Sequence, residues 1–122
     1  MQPRREVMRD NNCIFCKIIA GEIPSKKLFE DDEILAFRDI NPVAPVHFLI
    51  IPKEHIAVLD DIEERHTALL GKMLFIATKL AREMGIGESG YRQVINCRKS
   101  AGQIVFHLHM HIIGGRDMRL MG

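Results

Sequence analysis

Several things are scarce in this 122-residue sequence, and each scarcity removes a class of protein. Charge of one sign is the first: seventeen basic residues face sixteen acidic ones, a net charge of +1. There is then no electrostatic ground for a nucleic-acid polymer or a membrane surface as partner, although a nucleotide-sized anion could still be held locally. Long apolar runs are the second. The opening "MQPRREVMRDNN" has no hydrophobic stretch after its arginines, so neither a signal peptide nor a spanning helix is expected, and the cytoplasm is the default location. Cysteine is the third: Cys13, Cys16 and Cys97 make an odd number in a chain without an export signal, which argues against a disulfide framework. Repeats and low-complexity tracts are lacking too. What remains, 47% hydrophobic and 27% charged residues, is the composition of one ordinary globular domain. We expect it over 13–122, after a mobile polar extension at 1–12.

The hydropathy pattern predicts the elements. "CIFCKIIAGE" places Ile14, Phe15, Ile18 and Ile19 at helical spacing before Gly21 and Pro24, a short helix. "KKLFEDDEILAFRDI" reads as a hairpin turning at Asp31 and Asp32, "NPVAP" as a loop, and "VHFLIIP" as a strand stopped by Pro52. From Asp60 to Met84 apolar residues recur at three and four, the period of one long amphipathic helix ended by Gly85 and Gly87. "GYRQVINC" and "IVFHLHMHII" read as two more strands, joined by the loop "RKSAGQ". Strands grouped around one long and one short helix, without regular βαβ alternation, give an α+β fold with a mainly antiparallel sheet.

The last of these segments holds the chemistry. His107, His109 and His111 alternate with Ile104, Phe106, Leu108, Met110 and Ile112, a period of two that predicts one strand with an apolar packed face and an available histidine face. Same-face side chains on a strand stand roughly 6.6 Å apart, so the imidazoles form a row. A neutral imidazole is a good nucleophile at phosphorus and titrates near physiological pH. Flanking imidazoles can bond the phosphate or protonate a leaving group, and the small residues of "SAGQ" allow close backbone approach. Alternate histidines on a strand can equally hold zinc, and the spacing does not choose between the two.

"HLHMHII" resembles the histidine-triad motif His-φ-His-φ-His-φ-φ, where φ is apolar, and "GQIVFHLHMHIIGGR" resembles the Hint branch of that family. The likeness extends through "IFCKIIAGEIPS", "FEDDEILAFRDI", "HFLIIPKEHI" and "VIN", roughly residues 13 to 116. It implies a homodimer in which the antiparallel sheets of two subunits continue into one. It also implies that His109 attacks the α-phosphorus of a nucleoside monophosphate amide or ester, giving a nucleotidyl-histidine that water hydrolyses. His111 would contact the phosphate and the departing group, while His107 and His47 orient the nucleophile. Gly102 and Gln103 match loop positions beside the phosphate, and Asn96 a contact to ribose or phosphate. Asp39 matches the residue pairing with the ribose hydroxyls, although Asp before "INP" is also a natural turn-former. Ile14, Phe15, Ile18, Phe37, Ile40 and Leu49 match the purine pocket, with Val105 in the nucleotide-contacting set; most apolar residues in such segments are otherwise simply core.

"CIFC" is a Cys-x-x-Cys pair, a weak signal alone for zinc or redox chemistry. In members of the family that carry it, the resemblance implies zinc on Cys13, Cys16, His55 and His107, a closed structural S2N2 set. His66, between acidic neighbours, is expected on the surface. The sequence departs from the branch at Ile104, where a serine is common, and in its short tail "RDMRLMG", so leaving-group handling is expected to differ. The expected function is hydrolysis of purine nucleoside 5′-phosphoramidates. Its rivals are hydrolysis of dinucleoside polyphosphates and a nucleotide-binding module of low turnover.

Overall fold

The computed structural model describes residues 12–121, so the expected N-terminal extension lies outside the described residues except for Asn12. Five strands form one sheet: β1 (Lys27–Glu30), β2 (Ile34–Arg38), β3 (Val46–Pro52), β4 (Tyr91–Val94) and β5 (Met110–Gly114), in the spatial order β1-β2-β3-β5-β4. Every pairing is antiparallel, as expected for this α+β pattern. The β1–β2 turn is made by Asp31, whose Oδ1 accepts the N–H groups of Glu33 and Ile34 at 2.8 and 2.9 Å.

Two helices cover the sheet, one on each face. On β2 and β3, Ile34, Ala36, Phe48 and Ile50 point to α2 (Thr67–Glu83), where Leu69, Met73, Ile76, Ala77 and Leu80 complete the main core. The intervening Leu35, Phe37, Leu49 and Ile51 point to α1 (Ile14–Ile19) and pack on Phe15, Cys16, Ile18 and Ile19. Central strands buried on both faces read as continuous apolar runs, which is why "ILAF" and "FLII" show no alternation. Among the described residues no helix is long and apolar enough to cross a membrane.

Two expectations need correction. The long helix does not begin at Asp60: two 3₁₀ turns, Leu59–Asp61 and Glu64–His66, precede α2, with Ile62 extended between them. His66 causes the late start, because its Nδ1 accepts the Glu63 N–H at 2.8 Å while its Nε2–H reaches Glu54 at 3.2 Å. It is therefore buried, not a surface residue. The second correction concerns the histidine segment. Only Met110–Gly114 is strand, so His107 and His109 precede β5 instead of lying on it. Pro52 has no N–H to extend the β3 ladder, and the preceding segment bonds elsewhere, the Leu108 N–H going to the Ile56 carbonyl at 2.6 Å. Neither face of the segment is simply free: His107 and His109 are buried, whereas Ile104 and Phe106 are exposed.

Candidate active site

The register of β3 on β5 sets Leu49 opposite His111 and His47 opposite Ile113, so His47 and His111 are diagonal neighbours on the α1 face. Their protons can be placed from main-chain partners. The Val43 N–H donates to His47 Nδ1 at 3.1 Å, so the neutral His47 ring carries its proton on Nε2. That N–H points at His111 Nδ1, 3.0 Å away, and at Asp39 Oδ2, 3.3 Å away. His111 thus accepts on Nδ1 and carries its own proton on Nε2. Burial is the main reason its pKa falls to about 4, with His109 and His47 adding to the fall, and burial likewise lowers that of His47 against the pull of Asp39. Asp39 also fulfils its turn-forming role, Oδ1 accepting the Asn41 N–H at 2.8 Å.

His109 is fixed by its predecessor's main chain. Its Nδ1–H donates to the His107 carbonyl at 2.7 Å, which leaves the Nε2 lone pair unprotonated, and burial holds its pKa below the usual value. Phe15 stands edge-on against the ring at a centroid distance of 5.1 Å, and His111 lies at 4.9 Å. The expected roles of His107 and His47 take a different form here. The His107 imidazole turns away from His109 and donates from Nε2 to the Pro52 carbonyl at 2.7 Å, and His47 bonds His111, not His109.

These groups open onto a cleft of about 430 Å³. Ile14, Phe15, Ile18, Phe37 and Leu49 form its apolar wall; Asp39, Ile40 and Asn96 line it, and Gly102, Val105, His109 and His111 lie along the loop and strand side. Every expected nucleotide-contacting residue except Gln103 therefore lines it. Gln103 is buried and its amide is consumed in the loop: Oε1 accepts the Arg98 N–H at 2.6 Å, and Nε2 donates to the carbonyls of Ala57 and Val105 at 2.9 and 3.0 Å. Arg98 has φ +70°, a conformation that side chains rarely adopt, so this amide holds a strained turn beside the cleft. Sequence reasoning missed Ile23, Pro24, Ser25 and Asn41 as lining residues. "EIPS" lies in a matched block but carries no pattern that distinguishes a wall from a loop. It also missed Pro52, whose contribution is a carbonyl and so leaves no side-chain signal.

On the far side of His107 the two cysteines and His55 gather. His107 Nδ1, a lone pair once Nε2 carries the proton, lies 3.1 Å from His55 Nδ1, 3.4 Å from Cys13 Sγ and 3.6 Å from Cys16 Sγ. Cys16 Sγ is 3.4 Å from His55 Nδ1, and the four donor atoms all lie within 4.8 Å of one another. A tetrahedral zinc with two thiolates and two imidazoles places its ligand atoms roughly 3.3–3.8 Å apart, so the set fits such an ion closely. Burial, opposed by the Pro52 bond, takes the His107 pKa to about 4, keeping the ring in the form that a metal requires.

The HIT domain family matches residues 20–118. A purine nucleoside phosphoramidase of Escherichia coli K12 is 48% identical over 105 residues, covering 86% of this chain and 88% of that protein. A HIT family hydrolase from Legionella pneumophila Philadelphia 1 superposes with a TM-score of 0.87 at 53% identity, covering 88% of this chain and 96% of that one. A zinc-bound histidine triad family protein from Mycobacterium smegmatis gives a TM-score of 0.75 at 33% identity, over 87% and 76% of the two chains. With its sheet order, its three histidines and these matches agreeing, the chain belongs to the HIT domain family.

Proposed function

We propose that the protein hydrolyses purine nucleoside 5′-phosphoramidates, cleaving the P–N bond in two steps through a nucleotidyl intermediate on His109. The observation that carries this reading is the His109 tautomer. A lone pair on Nε2, fixed by the Nδ1–H bond to a carbonyl, faces an apolar cleft of nucleoside size. The base would pack among Ile14, Phe15, Ile18, Phe37 and Leu49, and the ribose hydroxyls would meet Asp39. In the first step Nε2 of His109 bonds to the α-phosphorus as the P–N bond breaks, and the departing amine takes up a proton. In the second, water attacks the phosphorus and passes a proton to the imidazole that gave one to the amine, the His109–phosphorus bond breaks, and nucleoside monophosphate leaves.

His111 carries its proton on Nε2, so the neutral ring can donate to a phosphoryl oxygen, where negative charge grows in the transition state. Held neutral by burial, it is not itself a ready source of the amine's proton; an anionic phosphate beside it would favour the protonated form and make it one. Asn96, Gly102 and Val105 would border the phosphate and ribose, and Gln103 would act by holding their loop.

Zinc on Cys13, Cys16, His55 and His107 belongs to the same reading as a structural ion that would fasten α1 to the histidine segment. With four protein ligands it leaves no open position for substrate. A homodimer joined through the sheet, in the cytoplasm, completes the proposal; in its support, β4 is an edge strand that among the described residues pairs only with β5.

The test is hydrolysis of adenosine 5′-phosphoramidate beside diadenosine polyphosphate by wild type and His109→Ala, with acid-quenched mass spectrometry. The expected result is P–N cleavage lost in the variant and a nucleotidyl-histidine adduct in wild type. An equally active variant would overturn the assignment of His109. Polyphosphate cleavage alone would move the substrate to the dinucleotides, and no cleavage of either would leave a binding module.

A further inference from the structure

A second cleft, of about 550 Å³, adjoins the first and shares Pro24, Ser25, Asp39 and Ile40 with it. Its remaining wall includes Lys26 and Arg38. The main chain brings these two together, because the Arg38 N–H donates to the Lys26 carbonyl at 3.0 Å. Neither charge is committed to a carboxylate, whereas five other cations are. Lys27 and Lys53 are paired with Glu30, Lys72 with Asp31 and Glu33, Arg65 with Glu54, and Arg98 with Asp60. Among the described residues no carboxylate lies within ion-pair distance of Lys26 or Arg38. Ser25 lines the cleft as well; its Oγ is buried and has no hydrogen-bond partner among the described residues.

Two cations lining one cleft make an anion site, and a guanidinium beside an ammonium suits phosphate in particular. Asp39 fixes its place relative to the nucleotide, since it lines both clefts. A ribose whose hydroxyls reach Asp39 from the first cleft would direct any group on its 2′- or 3′-oxygen into the second. Asp39 opposes an anion there, but one of its oxygens already accepts the Asn41 N–H, and it stands alone against two cations. We propose that the cleft of Ser25, Lys26 and Arg38 is a subsite for a second phosphate, borne on the 2′- or 3′-hydroxyl of the nucleotide. The proposal rests on the nucleotide reading of the first cleft. It widens the substrate class from simple nucleoside 5′-phosphoramidates to those carrying a ribose phosphomonoester.

The experiment compares, by calorimetric titration of the full chain, AMP, adenosine 2′,5′-bisphosphate and adenosine 3′,5′-bisphosphate. Wild type and the double variant Lys26→Gln/Arg38→Gln are titrated at low and moderate salt, with circular dichroism checking the fold. The expected result is that at least one bisphosphate binds roughly 3- to 30-fold more tightly than AMP, the scale of two solvent-facing ion pairs. The advantage should shrink with salt and disappear in the double variant, and whether the 2′ or the 3′ compound shows it identifies the hydroxyl. Bisphosphates that bind no better than AMP, or an advantage that survives in the double variant, would overturn the subsite while leaving the nucleotide reading intact. If wild type fails to bind AMP at all, the nucleotide reading fails and the subsite falls with it.

Discussion

His47 offers a sharp test of how the cleft is organised, because its two ring nitrogens have separable tasks. Nδ1 accepts the Val43 N–H at 3.1 Å, and Nε2–H donates to His111 Nδ1 at 3.0 Å. Replacing the ring with Ala leaves two part-buried groups without partners, where a fully buried one would cost about 1–3 kcal/mol. The cleft next door admits water to the vacated space, so the lower end applies and a loss of about 2 kcal/mol in unfolding free energy is expected. The effect on the reaction is distinct. Without the Nε2–H donor, His111 is no longer held with its own proton toward the cleft, and kcat should fall about 10- to 100-fold, or about 1.4–2.7 kcal/mol of barrier. Two further variants separate the tasks. In His47→Gln the amide nitrogen replaces Nε2, so most of the rate should return without the stability; in His47→Asn the side chain reaches only the Nδ1 position, and the reverse is expected. Single-turnover hydrolysis of adenosine 5′-phosphoramidate and urea unfolding give the two readouts. An Ala variant with kcat within twofold of wild type, or an Asn variant faster than the Gln one, would refute the relay.

Three more outcomes are expected. Gln103→Ala should lose about 2–3 kcal/mol of stability, one increment for each of its three hydrogen bonds. It should raise KM more than it lowers kcat, because Gly102 and Val105 lose their support; an unchanged urea midpoint would contradict this. For acid stability, the folded pKa of His111 is about 4, below the ordinary value of 6.5, so below about pH 6.5 the unfolded chain gains a proton that the folded chain refuses. The His111 contribution is then complete above pH 6.5 and is lost as pH falls toward 4, on the order of 2–3 kcal/mol. Urea midpoints between pH 7 and 4.5 should drop less in His111→Asn than in wild type, and parallel curves would sink the argument. Finally, freshly purified protein should contain about one zinc per chain, and chelation or Cys16→Ser should lower the melting temperature and expose Cys13 to thiol reagents; a metal-free preparation with unaltered melting would remove the ion from the account.

Most of the sheet was legible in the sequence because turns and prolines bound its strands: Asp31, Asp32 and Pro52 mark ends that local chemistry dictates. The α1 wall was legible through the resemblance, which placed Ile14, Phe15 and Ile18 around a purine. What failed was the inference from alternation to a strand at 104–109. A period of two describes side-chain direction, not hydrogen bonding, and the partners of this stretch are a loop carbonyl at Ile56 and a side-chain amide at Gln103, over 46 residues of separation in the case of Ala57. His66 was misplaced for a similar reason. Charged neighbours in sequence say little about a ring that folds back to cap its own helix.

The acceptor that orients His109 is a peptide oxygen of residue 107, and no point mutation can delete a peptide oxygen. The side chain at 107 therefore has no hydrogen bond to make to the proposed nucleophile and is free for another role, such as that of the proposed metal ligand. If His109 is the nucleophile, its orientation would survive substitution of its neighbour, and one short motif could serve chemistry on one side and architecture on the other.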